Sequence, residues 1–277
     1  MSSLMKRWAS ALPAILKMAA LLGCALPARA SAQPTNPFQF ADFLFAPVQV
    51  HLLVATNSPA IHTTLTQSDF KRILGKMNRV WSQAGLQFFL ESIHSEEIDE
   101  PEKWAGKVVD GAELLELRAR QSIRTNAFQI YYIKSMSVNG IYFPDGIFVK
   151  DTASLRKVEG GIDEPLPRVT SHELGHALGL SHRQDTTNLM ASGTTGIWLN
   201  TAEIERARKK AQAAPWIIPA TQTLNSAKEH FQAREFSEAR ELYERIASIP
   251  LKTEEVDLAR KRLEEIARRG GTPSKPR

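Results

Sequence analysis

Four residues able to share one metal-assisted reaction stand in a single run, His172-Glu173-Leu174-Gly175-His176-Ala177-Leu178-Gly179-Leu180-Ser181-His182. On a helix, His172 and His176 lie one turn apart on one face and can hold one ion together. Glu173 sits beside them, within reach of a water on that ion. Gly179 tolerates the left-handed backbone that a sharp exit from the helix requires. The exit returns the chain toward the metal, where His182 completes a three-nitrogen site. Three protein ligands with a fourth position free for water are expected of catalytic zinc, whereas structural zinc is fully enclosed by protein. The chemistry is hydrolysis by a metal-activated water, with Glu173 as general base.

A bare H-E-x-x-H also occurs on solvated helix faces, but the longer H-E-x-x-H-x-x-G-x-x-H fixes two further residue types. That longer pattern is the signature of the metzincin metalloproteases, and the run resembles that clan. Downstream, Asn188-Leu189-Met190-Ala191-Ser192 resembles the methionine turn of the same clan. The resemblance gives Met190 the role of a hydrophobic floor under the histidines, not of a ligand. Leu178-Gly179-Leu180-Ser181-His182 and the Leu189-Met190 pair are most similar to the matrixin branch. Two departures stand out. Arg183 replaces the serine that usually follows the third histidine, and Ser192 stands where a tyrosine ligand occurs in astacins and serralysins. No cysteine-switch propeptide is present.

The elements around the run are legible from periodicity. Pro47–Ala55 reads as a buried strand. Between Thr66 and Ala84 the residues Phe70, Ile73, Leu74, Met77, Val80 and Trp81 recur at helical spacing, with Thr66 or Ser68 as cap and Gly85 as stop. Leu86–Ile93 is the next strand. A second helix is expected over Val108–Ile123, with Leu114, Leu115 and Leu117 inward. Ala127–Ile133 is a third strand, followed by 138–143 and 147–150 on either side of a Pro144-Asp145-Gly146 turn. Residues 151–167 read as a loop leading to a helix at Arg168. Asn200 and Glu203 form a capping box for a helix near 201–213.

This order matches the α/β (α+β) architecture that the resemblance implies. It is a zincin-like catalytic domain over 47–214, with a twisted mixed β-sheet and an active-site helix. In that family an edge strand binds substrate main chain by β-augmentation, which puts Gly140, Ile141 and Tyr142 beside the peptide. Asp145, Asp151, Asp163 and Glu164 are candidates for a structural calcium, but their spacing matches no calcium motif and surface charge is the simpler reading. His51, His62, His94 and His230 lack partner spacing and read as non-ligands.

Residues 1–30 read as a secretory signal, with Lys6, Arg7 and Lys17 ahead of a short apolar stretch and cleavage after Ala30 or Ala32. The competing reading is a lipobox ending at Cys24, which would anchor the protein by lipid. Residues 31–46 form an N-terminal arm. Cys24 is the sole cysteine, so the mature chain holds its core without disulfides. Removing Lys6, Arg7, Lys17 and Arg29 leaves 31 basic against 30 acidic residues, a balance that provides no nucleic-acid surface. No transmembrane segment is expected in the mature chain.

Residues 215–221 read as a linker. Over 222–268, Ala227, Phe231, Phe236, Ala239, Tyr243, Ala247 and Pro250 are spaced as in one tetratricopeptide hairpin, with Arg234 in place of the usual glycine. A further helix over Val256–Ile266 completes a small appendage that packs on the catalytic domain or on a protein partner. Residues 269–277 read as a disordered tail. The combined expectation is an exported zinc endopeptidase, with one Zn2+ and a protein or peptide substrate. The alternative is a zinc-loaded but proteolytically silent export that works through its helical tail; the intact Glu173 favours the enzyme.

Overall fold

The computed structural model describes residues 42–118 and 125–270. The signal segment, the arm up to residue 41 and part of the helix expected at 108–123 lie outside them. So does the tail from 271. Strand β1 (Leu44–Val54) is followed by α1 (Gln67–Trp81), β2 (Leu86–Glu97), β3 (Phe128–Ile133), β4 (Gly140–Phe143) and β5 (Gly146–Lys150). Then come α2 (Pro165–Ala177), α3 (Thr201–Gln212), β6 (Ile218–Pro219), α4 (Ala220–Gln232), α5 (Phe236–Ala247) and α6 (Glu254–Gly270). The sheet order is β2-β1-β3-β5-β4, parallel except for the antiparallel edge strand β4. The fold is α/β, as the sequence predicts, and its mixed sheet is mostly parallel.

β1 is buried on both faces, and Gln49 and His51, which alternate with Val48, Val50 and Leu52, are as fully buried as the apolar residues beside them. Leu44, Ala46, Val48, Val50 and Leu52 pack in the core that includes Phe70, Ile73 and Met77 of α1, Val169 and Leu174 of α2 and Ile204 of α3. Leu53 faces a second core with Trp104, Val109, Leu114 and Leu117. Phe45, with Phe43 just before the strand, joins a third core built by α4–α6.

Several elements differ from the sequence reading. β1 starts at Leu44, so the last residues of the expected arm are strand. β2 runs on to Glu97 because it stays paired to β1 through a bulge at Glu91, although its later residues are polar and half exposed. The helix expected at 108–123 is a tighter three-residue-per-turn segment, Gly111–Leu117. There Leu114 and Leu117, three apart, are eclipsed and buried together. α2 begins at Pro165, before Arg168, since proline in the first turn gives up an N–H that would have no helical partner. α1 is capped by Thr66, whose hydroxyl accepts from the Asp69 amide while the Asp69 carboxylate accepts from the Thr66 amide.

The expected linker is part of the sheet. Ile218 and Pro219 pair antiparallel with Phe45 and Leu44, and Trp216 stands edge-on to Phe128 at 4.9 Å. The helices that follow pack on the catalytic domain. Arg245 lies 3.7 Å over the Phe89 ring, and the Gln87 amide donates to the carbonyl and hydroxyl of Ser248. Arg234 adopts a left-handed φ of 64° between α4 and α5, a conformation that glycine takes at no steric cost. α6 extends to Gly270, which makes the first residues of the expected tail helical. Among the described residues no helix is long and apolar enough to cross a membrane.

Candidate active site

α2 is buried through most of its length, so whatever side chains it carries are held firmly. His172 and His176 project from one side of it. After Ala177 the chain turns at Gly179, which has φ 82°; the Gly179 amide donates to His176 O and the Leu180 amide to Gly175 O, both at 2.9 Å. This turn brings the Leu180 carbonyl back to the His176 ring. His176 Nδ1 donates to Leu180 O at 2.9 Å, and His172 Nδ1 donates to Leu189 O at 2.8 Å. A carbonyl can only accept, so these contacts put the proton of each neutral ring on Nδ1 and leave Nε2 as a lone pair.

The three Nε2 atoms converge. His172 and His176 are 3.2 Å apart, His176 and His182 are 3.1 Å apart, and His172 and His182 are 3.2 Å apart. A tetrahedral zinc with nitrogen ligands separates them by about 3.3–3.4 Å, so the donor set fits that ion. Burial, more than neighbouring charge, pushes the His172 pKa down to about 3 and lowers that of His176. Both rings are therefore neutral at pH 7, as ligation requires. Among the described residues these histidines are the only group of three or more metal-capable side chains.

Met190 is fully buried beneath the helix. A Cβ placed on Gly175 would stand 2.5 Å from its sulfur, so the methionine occupies the space that the glycine leaves. Glu173 is 5% exposed and lines the same cleft as the histidines. Burial pushes its carboxyl up to about 8, against the opposing charge of Arg168. Gly140, the first residue of β4, lies against it: a Cβ there would come within 2.6 Å of Glu173 Oε1. The cleft, about 700 Å³, is lined by Gly140, Ile141 and Tyr142 of β4, the edge strand among the described residues, and by Ser192 and Gly193.

Arg168 is a residue the sequence reading passed over as a helix start. It is 2% exposed. Its Nε donates to Gly196 O at 3.0 Å and its Nη2 to the carbonyls of Asn188 and Ala191. Burial pushes its pKa down to about 10. A charge four residues before His172, hence on the same helix face, was the available signal. Glu203 was read only as a cap, yet it also accepts from Arg183 and Asn188.

The acidic residues considered for calcium are dispersed. Asp145 pairs with Arg118, Asp163 with Lys76, and Glu164 with Lys76 and Arg72. Asp151 accepts from Thr63 and Thr64. Of the other histidines, His51 is buried between Glu96 and Gln129. His62 accepts from the Ala55 amide, and His230 pairs with Glu235.

Comparison with known proteins gives one family. Residues 93–207 match the model of the matrixin peptidases, from within β2 to within α3. A search of curated proteins returns no match. Among solved structures, a zinc-dependent peptidase from Methanocorpusculum labreanum aligns at 13% identity and a TM-score of 0.30, over 58% of this chain and 98% of its own.

Proposed function

From the match of residues 93–207 to the model of the matrixin peptidases, we propose that the protein is an exported zinc-dependent endopeptidase. The observation that carries the reading is the convergence of three Nε2 lone pairs at 3.1–3.2 Å beside one buried carboxylate in an open cleft. His172, His176 and His182 are the zinc ligands. Zinc, if bound there, would supply a more acidic water and a Lewis acid for the scissile carbonyl.

Glu173 moves the protons. Its carboxylate takes one from the attacking water and delivers it to the leaving amine. For the first transfer it must be ionised, and the Arg168 charge opposes the rise that burial imposes, as a bound dication also would. Gly140 leaves that carboxylate the space it occupies. β4 offers unpaired main-chain groups to an extended peptide, a mode that reads backbone more than side chains. Met190 packs under α2 and keeps the helix at a fixed height above the methionine turn. Export rests on the basic and apolar pattern of residues 1–30.

The test is hydrolysis of a denatured protein by the purified mature chain. Activity that is lost to a chelator and restored by zinc supports the reading. Stoichiometric zinc without cleavage of any substrate, in a folded protein, would replace it with a silent binding protein. N-terminal sequencing of material recovered outside the cytoplasm tests export.

A further inference from the structure

The three histidines are not held alike. His172 and His176 stand on a buried helix, and each has a carbonyl on its second ring nitrogen. His182 lies in an exposed stretch of chain. Among the described residues its ring comes within hydrogen-bond distance only of the other two histidines, at Nε2. Its position is set by the chain on either side, because a ligand that is not held beforehand must be ordered at the moment of binding.

The next residue is anchored at both ends. The Arg183 amide donates to Met190 O at 3.0 Å, and its Nε donates to Glu203 Oε1 at 2.5 Å. Glu203 is 2% exposed, and a buried carboxylate needs compensating partners. Its other oxygen accepts from the Asn188 amide group at 2.8 Å and from the Asn200 backbone at 2.9 Å. Asn188 Oδ1 in turn accepts from the Met190 amide at 2.7 Å. One carboxylate thus ties together the segment after His182, the methionine turn and the start of α3. A cap alone would need only the bond to Asn200.

We infer that Arg183 and Glu203 are a positioning pair that fixes the third histidine relative to the other two, and so sets zinc affinity. The inference rests on the zinc reading above. Groups that orient metal ligands from the outer shell typically change affinity by about 10–100-fold when removed, and a charge-assisted bond to Arg183 is a strong one of its kind.

The experiment is chelator competition for zinc on the purified mature chain, with the visible spectrum of the cobalt-substituted form as a second readout. Arg183→Ala is expected to weaken zinc by about 10–100-fold and to alter the cobalt bands. The metal-free chain should lose some unfolding temperature as well, because the buried Glu203 carboxylate loses a partner, so affinities are compared at a temperature where both chains are folded. Arg183→Lys should recover part of the affinity. In a Glu203→Gln background, Arg183→Ala should cost much less than in wild type. Wild-type affinity in Arg183→Ala, or an equal loss in both backgrounds, overturns the pair. Failure of the wild-type chain to bind one zinc would instead remove the zinc reading on which it rests.

Discussion

On one face of β1, Leu44, Val48 and Leu52 share a core with the helices that carry Arg168, His172, Glu173 and Glu203, all at least nine-tenths buried. On the opposite face, Phe45 meets Tyr243, Ala239 and Ile246 of the helical tail, where the described ion pairs, such as Arg245–Glu241 and Arg269–Glu265, are partly or largely exposed. The same strand therefore supports two kinds of packing. The catalytic side buries ionisable groups, each of which costs stability unless paired or neutralised. The tail side follows the ordinary rule of apolar atoms inside and charges at the surface. Side chains on the first face are held in place for chemistry, those on the second for cohesion.

If the two sides differ in this way, substitutions should separate activity from stability. The largest effect belongs to His176→Ala, which should abolish one-to-one zinc binding and all peptidase activity, as measured by metal analysis and turnover. Glu173→Gln should keep its zinc and lose about 10²–10⁴-fold in kcat. In the metal-free chain the same variant should gain stability at high pH. The Glu173 carboxyl is raised from 4.5 to about 8, so the folded state holds a proton that the unfolded state releases. Its contribution is fully present below pH 4.5 and lost as pH rises through about 8. Thermal unfolding of metal-free wild type and variant should agree at pH 4 and diverge at pH 9; a constant gap would refute the assignment.

On the tail side, Phe45→Ala should cost about 3–5 kcal/mol in denaturant unfolding and leave kcat of the folded fraction unchanged. Gly140→Ala is expected to do the reverse, lowering kcat by about 10–100-fold through displacement of Glu173 while the unfolding midpoint changes less. Smallest is Arg245→Ala, whose lost contact with Phe89 should cost about 0.5–1 kcal/mol and nothing in turnover.

The zinc run was legible because its geometry is local: two histidines one turn apart and a glycine that reverses the chain need no knowledge of the rest of the fold. The capping box at Asn200 and Glu203 was legible for the same reason. The second use of Glu203 was not, since its bonds to Arg183 and Asn188 join segments fifteen to twenty residues away. Arg168 was missed because a charge in the first turn of a helix is usually solvated, and only the folded loop 188–196 surrounds it with carbonyls. The polar end of β2 was hidden by composition, as its strand character comes from pairing with β1. Pro215 to Pro219 looked like a linker because a two-residue strand has no periodicity to read.

The pairing of Ile218 and Pro219 with the start of β1 has a consequence for how the molecule can be taken apart. β1 lies inside the sheet between β2 and β3, outside the stretch 93–207 that matches the family model, and its first residues are closed off by a segment from far along the chain. Excising the recognisable stretch would remove the strand that joins β2 to β3 and cut β2 in two. Trimming the helices would uncover Phe43 and Phe45. The smallest autonomous unit thus reaches from β1 through the tail, and heat should melt it in one cooperative transition, catalytic half and helical half together.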